Sequence, residues 1–177
     1  MPPSHRHAKV TAVLVRREHP TDVGPITDIH RAAFNGEVEP QLVVALRASD
    51  AWLPQLSLVA ELNGTIVGHV VCTRAHVAET PVLGLGPLGV VPALQKSGVG
   101  TALMHAVLGA ADAMDEPVVV LLGHTDYYPR FGFEPATNLG ITPPVSEWGN
   151  HFQARPLSTH NSNIQGPFAY AAPFNDL

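Results

Sequence analysis

The stretch of sequence over residues 85–104 constrains the fold more than any other part of the chain. It opens with an apolar run at residues 88–91, which predicts a buried strand, and Pro92 ends that strand. Residues 95–101 then form a loop with two closely spaced glycines, and a helix-forming sequence follows. Such a strand–loop–helix unit is typical of a phosphate-binding turn, because the N–H groups of the loop and of the first helical turn converge on one point.

The glycines of this loop have a steric purpose. Gly98 and Gly100 let the backbone turn tightly and let a ligand approach without a Cβ in the way, and Lys96 adds a positive charge beside them. A plain strand-to-helix connection would also accommodate two glycines. The phosphate-binding interpretation therefore depends on a partner motif further along the chain.

That partner is an aromatic segment about thirty residues downstream. The pattern Gln-x-x-Gly-x-Gly that begins at Gln95, together with Tyr-x-x-x-Gly-Phe that begins at Tyr128, resembles the acetyl-CoA signature of the GNAT superfamily of N-acetyltransferases. The resemblance covers residues 8–140, and residues 137–177 match it only loosely.

The resemblance implies a single α/β domain over residues 1–177, with a mixed, mostly antiparallel central sheet and helices on both faces. It implies acetyl-CoA as co-substrate, with the pyrophosphate on the glycine loop. In this family the preceding strand splays from its neighbour and pairs through its backbone with the pantetheine amides. The cofactor-binding residues implied in this way are Leu88, Gly89, Val90, Gln95, Lys96, Ser97, Gly98, Val99, Gly100 and Thr101.

The catalytic residue that the resemblance implies is Tyr128, since a tyrosine four residues before the Gly-Phe pair often lies near the thioester sulfur in this family. A phenol with a pKa near 10 is protonated at neutral pH and can give its proton to a leaving thiolate. Tyr127 is assigned to packing or substrate contact. The implied reaction is direct acetyl transfer to an amine of a small molecule or peptide, with the amide of Val90 or Val91 polarising the thioester carbonyl.

The general base stays open at this point. A water relay is one alternative, and the titratable groups near the expected cleft are Glu37, Glu39, His69, His124 and Glu134. A catalytically silent acyl-CoA-binding module is the alternative function. Such a module would need both glycines of the loop but would need neither Tyr128 nor an acceptor pocket.

A second glycine pattern lies within the strand itself. Residues 84–89 formally spell G-x-G-x-x-G, the dinucleotide-binding fingerprint, which opens directly into a helix. Here Val90, Val91 and Pro92 follow instead. We therefore predict a bent or bulged strand over these glycines.

Composition argues against several other functions. The 177 residues are 45% apolar, enough for one packed domain, and the net charge of −5 with scattered Lys and Arg argues against a nucleic-acid partner. No apolar run approaches the length of about 18 residues that suggests a membrane span, and the N-terminus does not resemble a secretory signal. A single cysteine, Cys72, suits a cytoplasmic location, and the sequence leaves a homodimer open.

Metal binding is also not expected. The chain has ten histidines, but no cysteine or carboxylate lies at ligand spacing from them. His5 and His7 form an H-x-H pattern in a segment, residues 1–7, that we predict to be a mobile tail.

Hydrophobic periodicity predicts the element order β-α-α-β-β-β-α-β-α-β. Predicted strands cover residues 9–17, 56–62, 65–73, 82–91 and 117–122, with late strands at 152–157 and 168–171. Predicted helices cover residues 21–34, 38–47, 98–114 and 125–131. The Pro-rich residues 137–150 are predicted to be a loop.

Overall fold

The computed structural model describes residues 12–177, so the predicted tail and the first residues of the predicted first strand lie outside the described residues. Within this range the chain forms three α-helices and nine β-strands. The helices are α1 (Val23–Phe34), α2 (Val38–Arg47) and α3 (Val99–Ala113). The strands are β1 (Leu14–Arg17), β2 (Ser57–Leu62), β3 (Thr65–Val77), β4 (Thr80–Val90), β5 (Val118–Leu122), β6 (Glu134–Pro135), β7 (Ile141–Thr142), β8 (Phe152–Pro156) and β9 (Gly166–Ala169).

The predicted elements agree with these bounds within a few residues from α1 to β5, and α2 has the predicted bounds. The predicted short helix over residues 125–131 is wrong as an α-helix, because only a 3₁₀ turn, Tyr128–Phe131, forms there. Pro129 cannot donate a backbone hydrogen bond, and Gly132, at φ 86°, ends the turn. Strands β6 and β7 were not predicted, because two residues are too few to show a periodic pattern.

Most of the strands belong to one mixed sheet. Its order is β1-β2-β3-β4-β5-β8-β6, and β9 pairs with both β3 and β7. The β4–β5 and β7–β9 pairs are parallel, and the other pairs are antiparallel. This arrangement confirms the predicted mixed, mostly antiparallel sheet.

Helices cover both faces of that sheet, as predicted. Leu103 of α3 shares a core with Leu58 of β2 on one face. Ile26 of α1 packs with Val59 of β2 on the other. Since Leu58 and Val59 are neighbours in one strand, their side chains alternate between the two layers.

Strand β4 is bulged where the glycine pattern predicted an irregular strand. Val70 of β3 pairs with Leu88, and Cys72 pairs with Leu85. Two residues of β4, Gly86 and Pro87, therefore stand opposite one residue of β3, which is the arrangement of a β-bulge. This result confirms the bent or bulged strand.

Strands β4 and β5 part soon after they meet. Their parallel register joins residues 83–84 to residues 119–120, while β4 continues to Val90 and β5 to Leu122. A gap therefore opens between residues 85–90 of β4 and residues 121–122 of β5. We call this gap the wedge, and it positions the candidate site.

Candidate active site

A cavity of about 1270 Å³ lies where the wedge meets the loop before α3. One side of it is formed by the end of β4, the glycine loop, the first turn of α3 and the segment after β5. The other side is formed by α1, α2 and residues from the C-terminal part of the chain. We call these sides the cofactor half and the acceptor half.

The backbone of β4 offers polar groups to the cofactor half. The Val91 N–H donates to the Val67 carbonyl of β3 at 2.9 Å, so Val91 is not available to polarise a thioester. Hydrogen-bonded and non-hydrogen-bonded pairs alternate along antiparallel strands. Gly89 is therefore also bonded to β3, whereas the N–H and C=O groups of Leu88 and Val90 point into the wedge.

The loop before α3 is held in a conformation that exposes its amides. Lys96 and Gly98 both have positive φ angles, 62° and 99°. The first bond of α3 runs from the Ala102 N–H to the Gly98 carbonyl at 3.0 Å, so the N–H groups of residues 99–101 have no acceptor within the helix. The Gln95 side chain ties the loop to the strand by donating from Nε2 to the Val90 carbonyl at 3.1 Å.

Most of the predicted cofactor-binding residues come together at this half of the cavity. Those that line it are Leu88, Val90, Gln95, Lys96, Gly98, Gly100 and Thr101. The other three do not line it. The Val99 side chain is buried in the core, although its N–H group belongs to the open first turn of α3. Ser97 is exposed with its hydroxyl donated to the Leu94 carbonyl, and Gly89 faces α1.

Gly89 has a packing role on the face opposite α3. A Cβ added to Gly89 would lie 2.7 Å from Nδ1 of His30, a fully buried side chain of α1. His30 Nε2 lies 2.8 Å from His69 Nδ1, and His69 Nε2 lies 2.8 Å from the Ser57 hydroxyl, which donates to Glu18 at 2.6 Å. We call Glu18, Ser57, His69 and His30 the buried polar chain.

The direction of the hydrogen bonds in the buried polar chain is set by Glu18. Burial alone would raise the pKa of Glu18, but the His69 ring 3.5 Å away and hydrogen bonds from Arg47 and Ser57 outweigh it and lower the pKa to about 2. An ionised carboxylate only accepts, so Ser57 donates to Glu18 and accepts from His69 Nε2–H. His69 Nδ1 then accepts from His30 Nε2–H, which makes His30 Nδ1 an acceptor.

Both histidines are neutral. Burial lowers the pKa of His30 to about 3, with a further contribution from His69, and burial also lowers the pKa of His69. Within residues 12–177, His30 Nδ1 has no hydrogen-bond partner. The buried polar chain thus supports β4 from behind, and His69 is enclosed in it instead of facing the cavity.

Tyr127 lies against the first turn of α3. Its hydroxyl oxygen would be 3.0 Å from a Cβ on Gly100, and the Arg130 guanidinium carbon lies 4.7 Å from the centre of its ring. Both Tyr127 and Arg130 line the cavity. The Tyr127 hydroxyl and the Arg130 charge therefore add side-chain chemistry to the amides of the loop.

Tyr128 lies deeper, at the wedge. Its ring packs on Gly123 and meets Phe133 at 5.8 Å and Tyr127 at 5.0 Å, both edge to face. Burial raises the pKa of Tyr128 to about 12, with a smaller contribution from Tyr127. Tyr128 lines the cavity with its phenol protonated across the neutral range.

The remaining candidate bases fall into two groups. Glu39 and His124 line the cavity. Glu37 instead pairs with Arg31 at the surface, at 2.5 Å, and Glu134 lies in β6 outside the cavity lining. Of these four candidates, Glu39 and His124 are thus the two that line the cavity.

Several cavity residues were not found by sequence reasoning. Arg130 lies inside the tyrosine motif, where its charge was a usable signal. The acceptor half contains a set of large apolar side chains drawn from distant segments: Phe34, Val38, Leu42, Trp148, Tyr170 and Phe174. The aromatic residues near the C-terminus were the only local sign of this set.

Other predictions concern the chain as a whole. Residues 12–177 contain no group of three or more His, Cys, Asp or Glu side chains placed to hold a metal ion. In the same range, no helix combines the length and apolar character that crossing a bilayer requires. Cys72 is buried, which raises the pKa of its thiol. The cytoplasmic location and the homodimer stay predictions.

Comparison with known proteins agrees with this geometry. Residues 14–136 match the family model of the acetyltransferase (GNAT) domain. The chain therefore belongs to the GNAT family of acetyltransferases. This match confirms the family and the enzyme class that the two motifs predicted.

Two relatives from Escherichia coli (strain K12) are similar in sequence. The uncharacterized N-acetyltransferase YjhQ is 37% identical over 119 residues, which cover 65% of this chain and 66% of YjhQ. The uncharacterized N-acetyltransferase YhbS is 29% identical over 166 residues, which cover 92% of this chain and 99% of YhbS. The YhbS match thus includes most of the chain.

Two solved structures are similar in fold. YhbS from Escherichia coli in complex with CoA has a TM-score of 0.87 and 28% identity, and the match covers 97% of this chain and 96% of YhbS. A GNAT family acetyltransferase from Brucella melitensis in complex with acetyl-CoA has a TM-score of 0.77 and 32% identity, and covers 93% of this chain and 99% of that one.

Proposed function

We propose that this protein transfers an acetyl group from acetyl-CoA to a primary amine by direct attack on the thioester. The observation that carries the proposal is that one cavity is lined by the N-terminus of α3, by the end of β4 and by the protonated Tyr128. These three features supply an anion site, amide partners for an extended chain and a proton donor. Two structural relatives bind CoA and acetyl-CoA.

The pyrophosphate of acetyl-CoA would lie on the amides of residues 99–101. Oriented N–H groups and the positive end of the helix dipole favour an anion there. Lys96 and Arg130, which line the same half of the cavity, add positive charge. The absence of side chains at Gly98 and Gly100 leaves this approach open.

The pantetheine arm would run along the wedge. The outward-facing N–H and C=O groups of Leu88 can exchange hydrogen bonds with its amides, as a neighbouring strand would. The Val90 N–H can also polarise the thioester carbonyl, while its own carbonyl accepts from Gln95. Gly89 contributes to this edge through packing, because its backbone groups are bonded to β3.

The chemical step needs few groups. The amine nitrogen bonds to the carbonyl carbon, and the carbon–sulfur bond breaks. Tyr128 gives its proton to the departing thiolate. The amine must lose a proton before or during attack, and a water bound near Glu39 or His124 can accept it, since both line the cavity.

Calorimetric titration with acetyl-CoA tests the cofactor site. Gly100→Val places a branched side chain beside the Tyr127 hydroxyl and over the loop, so we expect acetyl-CoA affinity to fall at least about a hundredfold. Gly109→Val is the matched control, because Gly109 lies in the same helix and a Cβ there meets nothing within 4 Å. Valine has a higher helix propensity than glycine, so neither exchange costs helix propensity.

The affinity of the wild-type protein for acetyl-CoA and CoA is the first test of the proposal. Lack of measurable affinity for either acetyl-CoA or CoA would contradict it. If Gly100→Val and Gly109→Val bind acetyl-CoA with equal affinity, the pyrophosphate does not lie on this loop. Tight binding without turnover of any amine would favour the silent acyl-CoA-binding module.

A further inference from the structure

The acceptor half of the cavity has an apolar wall. Its members share large side chains that face the cavity, and we call them the acceptor wall: Phe34, Val38, Leu42, Trp148, Tyr170 and Phe174. They come from α1, α2 and the C-terminal part of the chain. No polar group of the cofactor loop belongs to this wall.

Part of the acceptor wall is exposed to an unusual degree. Phe34 is 40% exposed and Val38 is 53% exposed, although both side chains are apolar. Single exposed apolar residues are common on protein surfaces and need no explanation. Several of them grouped in a concave surface are typical of a binding site, since a ligand can bury them.

The acceptor wall is preformed. The rings of Tyr170 and Phe174 stack at 4.4 Å with an interplanar angle of 24°, and Trp148 lies 6.2 Å from Tyr170. Leu42 of α2 packs in one cluster with Phe174. Because these side chains hold one another in place, an apolar ligand would find a surface that needs little reordering.

The acceptor half has few charged side chains. Glu39 lines the cavity one residue from Val38, and within residues 12–177 no ion pair is formed by it. The basic residues of the cavity, Lys96 and Arg130, belong to the cofactor half. Among the described residues that line the cavity, Glu39 is the one acidic side chain of the acceptor half, since Asp126 belongs to the segment after β5 in the cofactor half. Glu39 lies there beside a large apolar and aromatic surface.

We propose that the acceptor is a small primary amine carrying one aromatic or bulky aliphatic group. This inference rests on the proposed acetyl transfer. The apolar group lies on the acceptor wall, and the amine, charged in solution, is drawn by Glu39 and by the faces of the aromatic rings. An amine with several charges or hydroxyls would leave the wall exposed and its own polar groups without partners.

A comparison of amines tests the class. CoA thiol release is measured with acetyl-CoA and 2-phenylethylamine, ethanolamine or putrescine, three compounds that share a primary amine and differ in the attached group. We expect kcat/KM for 2-phenylethylamine to exceed that for ethanolamine by about tenfold to a hundredfold. A short peptide with a free N-terminus is added as a fourth acceptor.

A matched pair of variants tests the wall itself. Val38→Ser changes a wall residue, and Val44→Ser changes a valine of the same helix that is 51% exposed and lies outside the cavity lining. We expect Val38→Ser to lower kcat/KM for 2-phenylethylamine about fivefold with unchanged acetyl-CoA affinity. Val44→Ser should match the wild type in both measurements.

The outcomes separate this inference from the proposed function. If ethanolamine, putrescine or the peptide is acetylated as efficiently as 2-phenylethylamine, the acceptor class is wrong while acetyl transfer stands. Equal effects of Val38→Ser and Val44→Ser would likewise overturn the role of the wall. If no amine releases CoA although acetyl-CoA binds, the proposed function fails, and the acceptor class fails with it.

Discussion

The two halves of the cavity are built from different materials. The cofactor half consists largely of backbone: the strand edge at Leu88 and Val90, the amides of residues 99–101, and Gly98 and Gly100, which leave them accessible. The acceptor half consists of side chains, above all the acceptor wall. Backbone groups bind the features that every CoA ester shares, whereas side chains can be exchanged without changing the fold. The acceptor can therefore vary while the cofactor site stays the same.

The halves also differ in what lies behind them. The cofactor half is supported by β3 and by the buried polar chain, whose histidines are fully buried. The acceptor half itself includes the C-terminal turn Ala172–Asp176, which packs on α2 through two members of the acceptor wall, Phe174 and Leu42. We therefore expect substitutions near β4 to affect stability, and substitutions in the acceptor wall to affect amine selection.

The largest effect is expected at Tyr128, where the two halves meet. Tyr128→Phe removes one hydroxyl and little volume, so acetyl-CoA affinity should change by no more than about 1 kcal/mol. The single-turnover rate with an accepted amine should fall about a hundredfold, because the leaving thiolate loses its proton donor. The pKa of about 12 keeps the wild-type phenol protonated, so the difference should grow as pH rises.

Tyr127→Phe is the control for this prediction. The Tyr127 hydroxyl lies at the first turn of α3, so its loss should weaken acetyl-CoA binding slightly and leave the chemical step nearly unchanged. Rapid-quench measurements at several pH values provide both quantities. Equal rates for Tyr128→Phe and the wild type would show that Tyr128 is not the proton donor to the leaving thiolate.

A smaller effect is expected from acid, through the support behind the cofactor half. The pKa of His30 is lowered in the folded protein to about 3, so the unfolded chain, with a pKa near 6.5, takes up the proton first. Stability is thus complete above about pH 6.5 and declines as pH falls toward 3. From pH 7 to pH 5, His30 alone should cost about 2 kcal/mol.

Urea unfolding at pH 7, 6 and 5 measures this loss. Glu18, with an ordinary pKa of 4.5, contributes little in this window, which therefore isolates the histidines. His30→Leu should reduce the pH dependence, while His76→Leu, at an exposed position of β3, should not. If the wild type, His30→Leu and His76→Leu show the same pH dependence, the histidines of the buried polar chain do not take up protons on unfolding in this pH range.

The cofactor half could largely be predicted from the sequence because its signals are local. The strand, the loop and the start of α3 are contiguous, and the tyrosine motif follows within one short stretch of chain. Helix α2 had the predicted bounds because its apolar residues recur at helical spacing. Each of these features depends on neighbours in sequence, which a pattern can show.

The acceptor half could not be predicted in the same way. Phe34 and Trp148 approach one cavity only because the sheet brings their segments together, and neither segment carries a motif. Gly89 shows the same limit within a motif. The resemblance implied a cofactor contact, but the identity of its neighbour depends on the packing of α1, which places His30 where a Cβ would stand.

The smallest effect is expected at Gly89. It tests whether this residue contacts the cofactor or serves only to pack β4 against His30. In Gly89→Ala the new Cβ would lie 2.7 Å from His30 Nδ1, and the buried histidine must shift. We expect a loss of about 1.5 kcal/mol in unfolding free energy, within the range of overpacked cores. Acetyl-CoA affinity of the folded protein should stay unchanged, because the backbone groups of Gly89 are bonded to β3.

Gly24→Ala, where a Cβ meets nothing within 4 Å, is the control and should not destabilise the protein. In a double-mutant cycle, His30→Ala should remove the cost of Gly89→Ala. If Gly89→Ala instead weakens acetyl-CoA binding and leaves stability intact, Gly89 belongs to the cofactor half and its packing against the buried polar chain is not its main role.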